Sequence, residues 1–213
     1  AANTIPAMAV AFAGWSVAAA AVIAPGATRS GDPGKSLTRD DEAGTKAALT
    51  SRMVLLLLLL ASAMATHAGV ASFHEIIASH HVAARAAWVL LLFATLFLVP
   101  APFFHTAWID VLDGARPAAG VSYCASAILI SGAWLGRMTM SPGLPAVLQQ
   151  ALLATGAICL VIPLISALGQ TRLQRLAGHL LAAQGGLMLL CAAALDQSIV
   201  AADVLRLSST AAA

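Results

Sequence analysis

The sequence predicts an all-α integral membrane protein, a bundle of about six transmembrane helices. Three observations carry this. Of its 213 residues, 60% are hydrophobic and only 9% charged, against roughly a quarter in soluble domains, so the chain cannot clothe a water-facing surface. Six apolar windows stand at about 5–24, 53–68, 84–101, 118–138, 146–168 and 176–195. Most approach the ~20 residues that cross a ~30 Å hydrocarbon core at ~1.5 Å per residue. Period-two alternation is absent, which favours helices over a barrel.

The elements follow in order. Residues 1–25 hold the first helix. Its apolar run from Ile5 to Ala24 is long for a signal peptide and follows no cationic segment, so it reads as a mature span. Residues 26–52, rich in Gly, Pro, Ser and charge, read as a polar loop, with helix starting as early as Thr45. Residues 53–195 hold five further helices, joined by short connections that imply antiparallel neighbours. Residues 196–213 form a tail. Pro100 and Pro163 fall inside apolar windows; each frees a backbone carbonyl, which membrane helices accommodate by a kink or a break.

Orientation follows from basic residues in the loops. One side receives Arg29, Lys35, Arg39, Lys46, Arg52, Arg116, Arg172 and Arg175; the other receives Arg85, Arg137 and Arg206. The first side is the cytoplasm or the mitochondrial matrix. The net charge of +2 is too small to suggest nucleic acid. Cys124, Cys159 and Cys191 each sit in an apolar run, a poor disulfide framework. The adjacent His80 and His81 do not share a helix face and have no carboxylate or Cys at ligand spacing beside them, so a polar loop is expected rather than a metal site.

One stretch breaks the apolar pattern: PFFHTAWIDVLDGARP, residues 102–117. It resembles the P-F-H-x-W-x-P-D-V-Y-E-G-A-P signature of the antiporter-like membrane-arm subunits of respiratory complex I. Pro102, Phe103, His105, Trp108 and Asp110 follow that order with a net one extra residue. Val111, Asp113, Gly114 and Ala115 follow without a gap, Asp113 replacing Glu. Glu42, Ala43 and Lys46 fit the E-A-x-x-K before the family's sixth helix, and Arg137 in GRM falls where its eighth helix ends in Arg. SALGQTRLQRLAGHLLAAQGGLMLL, 166–190, is similar to Q-x-x-L-K-R-L-L-A-Y-S-S-I-A-Q-x-G-Y. There Gln170, Leu173, Arg175, Leu176, Gln184 and Gly186 match, and His179 replaces the Tyr.

The resemblance covers about residues 10–195 and is closest to NADH dehydrogenase subunit 2. It makes the six spans the family's helices five to ten: an antiporter-like core fragment with a broken helix, truncated or split. It implies a structural or coupling role for Pro102, His105, Trp108, Asp110, Asp113, Gly114, Arg116, Arg175 and Gln184, which anchor a helix junction. On this reading Trp108 and His105 sit at headgroup level, polar edges outward, and Asp110, Asp113 and Arg116 pair with one another or with loop backbone.

The family's proton path runs through buried Glu and Lys residues. Position by position these fall on Ala13, Phe97 and Ile128, and the chain has only two lysines, Lys35 and Lys46. The expectation is therefore a subunit with its own channel lost and Phe97 and Ile128 in dry surroundings. His179 and Gln184 stand five residues apart, roughly 140° around a helix, so they cannot jointly line one path. The implied partners are other complex I membrane-arm subunits, the lipid bilayer and possibly a second polypeptide completing the subunit. The chain itself would be non-catalytic within the oxidoreductase and bind no redox cofactor, only structural phospholipid. Ala-rich helices, the absent initiator Met and the truncation point to the mitochondrial inner membrane. The alternative is an autonomous ion or solute transporter with His105, Asp110, His179 and Asp196 as its polar path. That reading needs a site near the midplane, whereas Asp110 and Asp196 fall at helix ends.

Overall fold

The computed structural model describes residues 4–23, 39–72, 75–76, 79–99, 105–115, 117–139 and 146–194. Its named helices are α1 (Ile5–Ile23), α2 (Arg39–His67), α3 (Val82–Leu98), α4 (His105–Gly114), α5 (Pro117–Thr139), α6 (Ala146–Leu168) and α7 (Leu173–Ala193). Among the described residues there is no strand, only one isolated bridge between Thr4 and Ser72. Among the described residues, five segments are long and apolar enough to cross a membrane: Ile5–Ile23, Glu42–His67, Ala118–Met138, Gln149–Leu168 and Leu173–Ala193. The sixth window is the shorter apolar helix Val82–Leu98.

Two boundaries differ from the sequence reading. The polar segment is helical from Arg39, not from Thr45 or Met53. Glu42 and Lys46 form an i,i+4 pair at 3.0 Å on that first stretch, an arrangement that supports helix. At 29 residues α2 is about 44 Å long, against a ~30 Å hydrocarbon core. With His67 at one interface, its first two turns stand beyond the hydrocarbon at the other. The second difference is the motif after Pro102, which forms the ten-residue helix α4 rather than a loop.

The helix break falls where proline puts it. Val99 closes α3 in an extended conformation (φ −78°, ψ 135°) while its N–H still bonds Thr95 O at 2.8 Å. The ring of a following proline disfavours helical geometry in the residue before it, and Pro100 follows. Pro163, by contrast, lies inside the continuous α6. At the other end of α3, His81 is the N-cap; its Nδ1 accepts from Ala83 N–H at 3.2 Å. His80 Nδ1 lies 3.4 Å from the Arg85 guanidinium.

Val54, Leu58, Ala61 and Ala65 form the buried stripe of α2, at helical spacing. Of its leucine run, Leu56, Leu59 and Leu60 are exposed, as suits a helix whose outer solvent is hydrocarbon, and Leu55 and Leu57 are half-buried against the core. Trp88, Leu91, Thr95 and Leu98 face inward from α3. Tyr123, Cys124, Ala127, Ile128, Ser131 and Leu135 do so from α5. Buried hydroxyls bond their own helix, Thr95 to Leu91 O and Ser131 to Ile128 O, both at 2.8 Å, so they offer little to a water chain. Cys124 and Cys159 are buried free thiols, and Cys191 is half-buried.

The tightest crossing joins α6 to α7. A Cβ on Gly186 would lie 2.5 Å from Leu160 N and 2.7 Å from Cys159 C; one on Gly156 would lie 3.0 Å from Leu190 N. Glycine lets the two backbones approach directly, the usual means of joining helices in lipid.

Candidate helix-junction site

α4 is amphipathic in a specific way. Trp108, Val111, Leu112 and Ala115 recur at helical spacing and are buried. Asp110 and Asp113 lie three apart, on a second face. The first face packs inward: Trp108 meets Tyr123 of α5 with ring centroids 6.0 Å apart, and Ile109 and Leu112 fill the space beside Gly178 of α7. The second face meets cations from two other helices. Lys46 Nζ of α2 lies 2.6 Å from Asp110 Oδ2, and Arg175 Nε of α7 lies 2.8 Å from Asp113 Oδ2. Arg172 Nη1 adds a longer contact to Asp113 at 3.5 Å.

These pairs are unequal. The Lys46 and Asp110 side chains are 35% and 37% exposed, whereas Asp113 is 4% exposed. An exposed pair is worth little, but a carboxylate removed from water depends on its cations. Helix ends add a reason for the second pair. An acid near a helix C-terminus and a base near a helix N-terminus each oppose the macrodipole. Asp113 in the last turn of α4 and Arg175 in the first turn of α7 relieve one another. Together Glu42, Lys46, Asp110, Asp113 and Arg175 line an open cleft of about 180 Å³.

Three of the four sequence motifs thus converge on one end of the bundle. Beyond the internal pairing expected of the motif, its acids reach other helices: Asp110 bonds α2 and Asp113 bonds α7. The reading of Trp108 is corrected. It is buried with no hydrogen-bond partner on its Nε1, so its polar edge is not turned outward, because α4 packs across three helices instead of looping outward. Pro102, Arg116, Asp196 and the His105 side chain lie outside the described residues. Gly114 ends α4. Gln184 lies on α7 with its Oε1 buried and unpartnered, and His179 is buried on the same helix.

Of the positions aligned with the family's channel residues, Ile128 is buried in the core and Phe97 is half-buried against it. Ala13 lies on α1, where its carbonyl accepts from Ser16 Oγ at 2.8 Å. Sequence reasoning missed the polar contacts inside the bundle. Tyr123 OH lies 3.3 Å from Ser51 Oγ and 3.4 Å from Ala47 O. Trp15 Nε1 donates to Ser126 Oγ at 3.0 Å. Nothing in sequence spacing links these residues, since the two contacts to side chains join positions 72 and 111 apart.

Residues 34–208 match the family model described as NADH:quinone oxidoreductase/Mrp antiporter, transmembrane region. The match spans well over half of the chain and includes every helix of the junction. The protein is therefore of the antiporter-like class of multi-pass membrane subunits. It belongs to the NADH:quinone oxidoreductase/Mrp antiporter family. No curated protein matches the sequence significantly.

Proposed function

We propose that this chain is a membrane-arm subunit of mitochondrial NADH:ubiquinone oxidoreductase, of the subunit 2 type, with a structural and coupling role and no proton channel of its own. The observation that carries the reading is Lys46. It is the one lysine among the described residues, and it stands two turns into α2, held between Asp110 at 2.6 Å and Glu42 at 3.0 Å. A relay lysine works by desolvation that brings its pKa toward neutral. A lysine held by two carboxylates and about a third exposed is instead kept charged as a clasp. The aligned channel positions Phe97 and Ile128 carry no titratable group.

The partners on this reading are neighbouring membrane-arm subunits in the mitochondrial inner membrane, with lipid between them. The chain would hold no flavin, nucleotide or iron–sulfur cluster. The outer face of α6, with Ile158, Val161, Ile162 and Ile165 exposed, suits either hydrocarbon or a neighbouring helix.

The test is isolation of the tagged chain from its native membrane in mild detergent. It should migrate with an NADH-oxidising assembly of megadalton size. A monodisperse, stable monomer that carries a solute into vesicles would defeat the proposal in favour of an autonomous transporter.

A further inference from the structure

Between α1 and α5 a groove of about 230 Å³ opens, walled by Ala11, Phe12 and Trp15 on one side and Ile130, Trp134 and Arg137 on the other. It exists because α1 packs chiefly on α2 and meets α5 through bulky rings. Phe12 and Trp134 have centroids 5.6 Å apart, and Trp15 stacks on Tyr123 at 5.5 Å. The Trp15 N–H is turned to Ser126 Oγ at 3.0 Å. Apart from Arg137, the named walls are hydrocarbon or aromatic.

Arg137 stands in the last turn of α5. That helix has 23 residues, about 34 Å against a ~30 Å hydrocarbon core, so its last turn lies at headgroup level. Ile130 is about two turns deeper, about 10 Å along the axis. The groove is thus apolar along its length and cationic at its interfacial end. Its volume falls below the roughly 300–1,000 Å³ of sites that enclose a whole small molecule, which suits part of one extended chain.

We propose that the α1–α5 groove holds an acyl chain of one anionic phospholipid whose phosphate is bound by Arg137. The guanidinium fork matches phosphate oxygens in pairs and has five donors, so it can serve a phosphate beside other contacts. The aromatic walls present flat faces to the methylenes. The proposal needs only that the chain spans a bilayer, and it stands apart from which assembly the subunit serves.

The experiment uses the full chain in nanodiscs containing equal amounts of phosphatidylglycerol and phosphatidylcholine with identical acyl chains. Lipid retained after release into detergent is counted by native mass spectrometry. Wild type should keep one phosphatidylglycerol in preference to phosphatidylcholine. Arg137→Gln should lower that preference about tenfold, the loss of one charge-assisted contact, and Arg137→Lys should restore much of it. Ala11→Leu, an exposed wall position, should lower retention of both lipids. Phosphatidylglycerol with a photoreactive acyl chain should label α1 and α5. Equal retention of the two lipids by wild type, an undiminished preference in Arg137→Gln, or labelling confined to other helices would each overturn the proposal. So would a cross-link showing a polypeptide segment seated in the groove.

Discussion

Trp108 shows how a polar-tipped residue can serve by shape alone. Its ring is buried between α4 and α5, yet its N–H has no partner. Trp108→Ala should therefore cost about 3–5 kcal/mol, the usual range for an emptied aromatic site. Trp108→Phe should cost under about 1.5 kcal/mol, since it keeps most of the volume and strands no hydrogen-bond partner. Reversible unfolding of the purified chain in mixed detergent micelles measures both. A Phe variant as damaging as the Ala variant would mean that the N–H has a partner in the membrane.

The two ion pairs make a second contrast at the same scale. Asp113 is buried against Arg175, while Glu42 is 62% exposed beside Lys46. Asp113→Ala leaves two arginines without their acid at the α7 N-terminus and should lower steady-state accumulation several-fold, as a destabilisation of 1–2 kcal/mol commonly does. Glu42→Ala should leave accumulation near wild type, because an exposed i,i+4 pair contributes only a few tenths of a kcal/mol. Quantitative immunoblotting of membranes reads the difference, and equal losses would contradict it.

At the scale of elements, the α6–α7 crossing is the least forgiving. Gly186→Ala places a methyl into the backbone of Leu160 and Cys159, so α6 must move away. Overpacking of this kind costs about 1–3 kcal/mol, and the midpoint of thermal unfolding should fall. Gly14→Ala meets nothing within 4 Å and should leave the midpoint unchanged or raised, since alanine is the better helix former. The helices themselves were largely legible as apolar windows, because hydrocarbon solvent leaves a plain compositional mark. Pro100 marked a place where α3 could end, as proline acts on its neighbour locally, but the same signal at Pro163 left α6 continuous. The α2 start was not legible. Arg39 to Gly44 reads as solvated loop by composition, and its helical state rests on the Glu42–Lys46 pair at i,i+4 and on tertiary contact with α4. For the same reason the site was half-legible: Lys46, Asp110, Asp113 and Arg175 were each singled out, but their cross-helix pairing spans 62 to 64 positions that no local rule connects.

For the whole molecule, α2, α4 and α7 are tied at one end by charges, while the interior carries apolar side chains where its family relatives are expected to carry titratable ones. On the proposed function, Lys46 is a clasp and not a relay. The direct measurement is the ratio of protons pumped to electrons passed, in coupled vesicles bearing the assembled oxidoreductase with Lys46→Met in this chain. Methionine keeps the length and removes the charge. The ratio should equal that of wild type, with less assembled complex because Asp110 and Glu42 have lost their cation. A normal amount of complex with a lowered ratio would place Lys46 in the proton path and contradict the account.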